Sequence, residues 1–168
     1  MFSKTEMILL VFISKTDEQM YERQIALGAK VSVGSTNSIL NRFAKLGLVS
    51  KTVKGKMSFY SANFSNPLLR QFKIFCTINS LMPLLSKVSN LSQRIILFGS
   101  CANGTDNSNS DVDLFIHSSN IESIKRILDS YPKVQALILN SNEWINLSKK
   151  DEPLYNRINA GLVLWEAD

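Results

Sequence analysis

The chain has 168 residues, 45% hydrophobic and 20% charged, which suits one domain or two small ones with a real core and excludes a disordered tail. Its formal charge of +5 conceals two different halves: residues 1–90 carry 12 Lys+Arg against 4 Asp+Glu, and residues 91–168 carry 7 against 10. That asymmetry points to a polyanion as partner of the basic half, while Cys76 and Cys101, with no second Cys or His at ligand spacing, argue against structural zinc or a disulfide framework.

In chain order, residues 4–14 predict a helix with Met7, Leu10 and Val11 on one face, and residues 17–28 a second with Met20, Ile25 and Leu27. The apolar run 7–13 is too short to span a bilayer and is poorly flanked for a signal peptide, so a cytoplasmic protein is expected. Residues 35–46 predict a third helix, with Ile39, Leu40, Phe43 and Leu46 in one stripe, Ser35 as N-cap and Gly47 as left-handed cap. A β-hairpin follows, residues 48–53 and 57–62 about a Lys54-Gly55 turn.

Three helices and a two-stranded ribbon in one short domain resemble the winged helix-turn-helix family over residues 1–62. The likeness is greatest at Ile39-Leu-Asn-Arg-Phe-Ala-Lys-Leu-Gly-Leu-Val49, which resembles a recognition helix running into its wing. A DNA-binding domain is therefore expected over residues 1–65. Thr36, Asn37, Asn41, Arg42 and Lys45 lie on the polar side of the third helix, where Asn and Arg side chains suit base edges. Lys51, Lys54 and Lys56 on the hairpin suit phosphates. A solvated face or a protein-docking module is the alternative reading.

Asn66-Pro67 opens a further helix, Asn as N-cap and Pro in the first turn. It is apolar around much of its circumference, so residues 66–90 are expected to connect the domains and to form a homodimer contact, with Pro83 kinking or ending the helix.

The acidic half centres on residues 94–117. A buried strand, 95–98, runs into a Gly99-Ser100 turn and short helix, then a polar loop, then a strand 112–117 with Asp111 and Asp113 at its start. Residues i and i+2 near a strand share a face, so the two carboxylates project together and repel unless a cation lies between them. Mg²⁺ suits such oxygen ligands together with substrate phosphates. The Gly-Ser turn adds backbone N–H groups, a helix N-terminus and a hydroxyl for a phosphate. Other motifs fit less well: Thr105 stands where a P-loop needs Lys, and Asp111 and His117 stand where an EF-hand from Asp106 needs Gly and Glu.

Gly99, Ser100, Gly104, Thr105, Ser110, Asp111, Asp113 and Leu114 strongly resemble the central motif of the polymerase-β-like nucleotidyltransferase superfamily, in particular its minimal members, over residues 91–168. The resemblance implies an α+β fold with a mixed sheet, and Asp111 and Asp113 as catalytic ligands of Mg²⁺ in a two-metal site. It also implies nucleotide binding by Gly99, Ser100, Gly104, Thr105 and Ser110, with ATP or another nucleoside triphosphate giving its monophosphate to a hydroxyl. This chain departs from the pattern twice. Gln135 stands where the next strand usually carries a third carboxylate, with Asp129, Glu143 or Asp151 as substitutes that no spacing singles out, and Cys101 and Asn103 stand where many minimal members have Arg. A neutral Gln is no base and a weaker Mg²⁺ ligand, so the departure bears on transfer more than on binding. A non-catalytic transcriptional regulator, using the domain as sensor or scaffold, is the alternative. An antitoxin-like role beside a helical toxin is implied by the resemblance alone.

The remaining expectations are a helix over 120–130 with Ile121, Ile124, Ile127 and Leu128 inward, a strand 134–139, helices over 142–147 and 153–159, and a closing strand 161–165. His117, the single histidine, is expected at the surface end of its strand.

Overall fold

The computed structural model describes residues 3–15 and 18–167. The chain divides into two compact units, Met1–Lys73 and Ile74–Asp168. No described helix is long and apolar enough to cross a membrane.

The first unit runs α1 (Lys4–Ser14), β1 (Met20–Tyr21), α2 (Glu22–Ala29), α3 (Val33–Lys45), β2 (Val49–Lys54) and β3 (Met57–Ala62). Ser3 and Glu6 form a reciprocal capping box that starts α1, satisfying two N–H groups left open by the helix geometry. The buried face of α1 is Ile8, Val11 and Phe12, turned slightly from the expected stripe, with Met7 and Leu10 only half-buried.

The second expected helix is shorter than its pattern. Residue 17, its expected start, lies outside the described residues, and Met20 is a strand residue paired with Tyr60. That pairing joins residues forty apart in sequence, so local periodicity carries no trace of it. Leu27 is 81% exposed and belongs to no core. Helix α3 begins at Val33, two residues before Ser35, because Ser32 is its N-cap and its hydroxyl accepts the Ser35 N–H at 3.4 Å. Leu40 and Phe43 are buried, whereas Leu46 is 52% exposed. Gly47 takes φ +66° and turns the chain into β2. The sheet order is β1-β3-β2, antiparallel throughout. One core of Ile8, Phe12, Ile25, Leu40, Phe43, Tyr60 and Leu69 joins the helices to the sheet.

Leu69 comes from α4 (Pro67–Val88), which starts where the Asn66 side chain accepts the Leu68 N–H at 2.9 Å. Pro83 does not end this helix, which continues to Val88. Proline removes one backbone donor, but the flanking Leu81, Leu84, Leu85 and Val88 are buried in the core of the second unit and hold the turn.

The second unit continues with β4 (Arg94–Phe98), α5 (Gly99–Asn103), β5 (Val112–His117), α6 (Ile121–Leu128), β6 (Val134–Leu139), α7 (Ser141–Lys150), α8 (Glu152–Asn159) and β7 (Leu162–Glu166). The mixed sheet has order β6-β5-β4-β7: β4 pairs antiparallel with β5 and β7, and β5 runs parallel to β6. Alternation along β4 divides the unit into two layers of packing. Ile95 and Leu97 meet Leu84, Val88 and Ile124, while Ile96 and Phe98 meet Phe115 and Ile158. Trp144 bridges Phe115 and Tyr155 at ring separations of 4.3 and 4.4 Å, fixing α7 and α8 on the second face. The fold is α+β.

Candidate functional site

The antiparallel register of β4 and β5 sets Asp113 opposite Phe98. Asp113 thus stands beside the point where β4 turns into α5 through Gly99. Gly99 has φ +72°, and a Cβ built there would fall 2.2 Å from Asp113 Oδ2. Glycine is required twice, by the left-handed backbone and by the carboxylate packed against it. Asp111 precedes β5, and the Cys101 Sγ–H donates to its backbone carbonyl at 3.4 Å, tying the loop to α5.

The carboxylates feel each other. Burial first, and then the Asp111 charge, raises the Asp113 pKa above the usual carboxylate value, while Arg157 pulls it down. The parallel register of β5 and β6 places Gln135 beside Asp113. Its amide Nε2 donates to Asp111 Oδ2 at 2.6 Å. A carboxylate at this place would add a third anion; the amide instead occupies a lone pair of Asp111. The alternative acids are engaged elsewhere. Asp129 flanks a separate cavity beside α6, Glu143 completes the capping box of α7, and Asp151 accepts the Leu154 N–H at 3.0 Å. Among the described residues no three His, Cys, Asp or Glu side chains converge on a metal position. Asp113 and the second oxygen of Asp111 nonetheless fit one Mg²⁺ whose remaining ligands are water and phosphate.

Two cavities meet the end of β4. One, of about 260 Å³, is lined by Phe98, Asp113, Gln135 and Leu154. The other, of about 370 Å³, is lined by Gly99, Ser100, Asn103, Thr105, Arg157 and Gly161. Thr105 closes the turn by donating its N–H to the Ser100 carbonyl at 3.0 Å, and Gly104 caps α5 with φ +65°. Ser110 serves the loop, its hydroxyl accepting the Asn107 N–H at 3.0 Å, and it does not line the second cavity. Helix α5 has only five residues, too few for a helix dipole of consequence, so an anion here depends on the Ser100 hydroxyl, the turn and nearby cations. Arg157 is the cation the sequence reading passed over. Its signal was faint, since Arg157 lies more than forty residues from the motif. His117 is half-buried and its Nε2 lies 3.1 Å from Ser141 Oγ.

In the first unit, Thr36 does not stand with the residues expected to face DNA. It is fully buried, and its hydroxyl donates to the Ser32 carbonyl at 3.0 Å. Asn37, Asn41, Arg42 and Lys45 are exposed on α3. Asn37 donates to Glu22 at 2.8 Å, Asn41 to Asn37 at 2.9 Å, and Lys51 reaches Asn41 at 3.5 Å. The hairpin lysines separate: Lys51 turns toward α3, while Lys54 reaches Gln19 at 3.1 Å. Being three apart on β2, they leave opposite faces. Lys56 lies in the exposed turn.

A family model described as polymerase beta, nucleotidyltransferase, matches residues 79–168. Among solved structures, the chain is similar to Sso10a-2, a DNA-binding protein from Sulfolobus solfataricus, at 20% identity and TM-score 0.39, covering 54% of this chain and 96% of that one. It is also similar to TrmBL2, an archaeal chromatin protein described as showing a novel mode of DNA binding, at 15% identity and TM-score 0.32, covering 90% of this chain and 76% of that one. Likenesses at these scores carry no weight for either fold or function. No curated protein matches the chain. With just over half of its length matched by the model, and with Gly99, Asp111 and Asp113 gathered where β4 and β5 meet, the chain belongs to the polymerase beta nucleotidyltransferase family.

Proposed function

We propose that the second unit binds a Mg²⁺–nucleoside triphosphate and passes the nucleoside monophosphate to a hydroxyl acceptor, the new O–P bond replacing the α–β phosphoanhydride bond with release of pyrophosphate and the hydroxyl proton, and that the first unit is a winged helix that binds DNA. One observation carries the reading: Asp113 packed against the Gly99 turn, with Asp111 close enough to disfavour its ionisation. In-line transfer at phosphorus needs anionic metal ligands next to a turn that holds the phosphates. Asp111 and Asp113 would hold the metal, which when bound would supply charge stabilisation at the transferring phosphorus. Ser100 and the turn would orient the triphosphate. The winged-helix reading rests on the element order, on the β1-β3-β2 sheet and on the exposed amides and cations of α3.

Gln135 favours a second reading, a regulator that binds nucleotide without turning it over. Its amide bond to Asp111 at 2.6 Å competes with a metal for the same oxygen. Incubation with ATP labelled at the α-phosphate, Mg²⁺ and candidate acceptors separates the two. Transfer by the natural chain that disappears in Asp111→Ala and Asp113→Ala supports the first reading. Binding without transfer, with transfer appearing in Gln135→Glu, supports the second. Label incorporation equal in all variants would overturn the assigned roles.

A further inference from the structure

We propose that Arg157 binds the β- and γ-phosphates of the nucleoside triphosphate, supplying from α8 the positive charge that the turn after Ser100 lacks; this rests on the nucleotide site proposed above.

Three observations converge. The 99–105 segment contains no cation, with Cys101 buried and Asn103 turned back to donate to the Gly99 carbonyl at 3.1 Å. A triphosphate carries up to four negative charges, and two carboxylates already stand at this end of the sheet, so a site without a nearby cation would repel the ligand. Arg157 lines the same cavity as Ser100, Asn103 and Thr105, is itself exposed, and makes no salt bridge among the described residues. Its guanidinium lies over the Phe98 ring, 5.6 Å from the centroid. This cation–π contact holds the guanidinium near Phe98 without consuming its N–H donors.

The backbone places it there for a steric reason. Gly161 closes the α8–β7 corner so tightly that a Cβ would lie 2.5 Å from the Leu97 carbonyl oxygen. That contact seats the end of α8 against β4, one turn from Arg157. A guanidinium pairs with two phosphate oxygens at once, which an ammonium does not.

The test is calorimetric titration of the full-length chain with ATP, ADP and AMP in Mg²⁺. For the natural chain, affinity should rise with phosphate number. Arg157→Ala should lower ATP affinity by roughly 10- to 100-fold and leave AMP affinity unchanged. Arg157→Lys should recover part of the loss. Arg157→Gln, which keeps a polar side chain but removes the charge, should resemble Ala, and serves should the Ala variant fail to fold. Unchanged ATP affinity in the Ala and Gln variants, or equal losses for ATP and AMP, would overturn the assignment and leave the nucleotide site standing. A natural chain that binds none of the three would overturn both.

Discussion

Asp113 shows what the site costs a single residue. Its carboxyl is partly withdrawn from water and close to Asp111, so its proton is held more firmly in the folded chain than in the unfolded one. The sign follows. With a raised folded pKa, stability is greatest below the unfolded value, declines as pH rises through the window between the two values, and stays reduced above the folded one. In chelator, Asp113→Asn should therefore melt higher than the natural chain at neutral pH, and the difference should shrink below about pH 4. Thermal melts across pH check this; a variant that melts lower at neutral pH would show that Asp113 is held by favourable contacts instead. Such a gain in stability on losing a site residue is the usual mark of a position kept for function. Gln135 meets the neighbouring carboxylate with a hydrogen bond rather than a third negative charge.

At the scale of elements, the corner between α8 and β7 makes a sharp prediction. Gly161→Ala sets a methyl 2.5 Å from a backbone oxygen and 2.7 Å from Ile96 Cγ2, and a central strand yields poorly. A loss of about 1–3 kcal/mol in unfolding free energy is expected, read by denaturant titration, with ATP affinity falling because Arg157 moves away from Ser100. Elements with strong local patterns are legible in the sequence: α3, the hairpin, β4, β5 and the Gly99 turn follow from periodicity and turn chemistry. The Asp-x-Asp spacing disclosed the carboxylate pair for the same reason, as Asp111 immediately precedes β5 and Asp113 lies at its start. What escaped was decided by partners distant in sequence. Met20 entered a strand because Tyr60 offers it a ladder. Leu27 fitted the apolar stripe, yet no element covers it. Ser32 outcompeted Ser35 as the cap of α3, and Pro83 stayed helical because its flanking leucines are buried. Arg157 is the same case at the site, brought in by the packing of α8.

For the whole molecule, charge is the relevant quantity, and its division carries more meaning than its sum. Residues 1–90 hold an excess of eight positive charges, while residues 91–168 hold an excess of three negative. If the first unit binds DNA, most of the affinity comes from phosphates, and the logarithm of affinity should fall linearly with that of salt concentration. The geometry adds a ranking. Lys51 lies on the α3 side of the hairpin and reaches Asn41, whereas Lys54 leaves the other face toward Gln19. Arg42→Ala and Lys51→Ala should each weaken binding and reduce the salt slope by about one; Lys54→Ala should do less. Glu22 accepts a hydrogen bond from Asn37 at 2.8 Å, leaving an anion among groups that would face the duplex. Removing it by Glu22→Gln should tighten binding at low salt, and the gain should fade as salt screens the charge. Fluorescence anisotropy with a labelled duplex over a salt series reads all four variants. Equal affinities and slopes in every one would mean that DNA, if bound at all, meets another face of the chain.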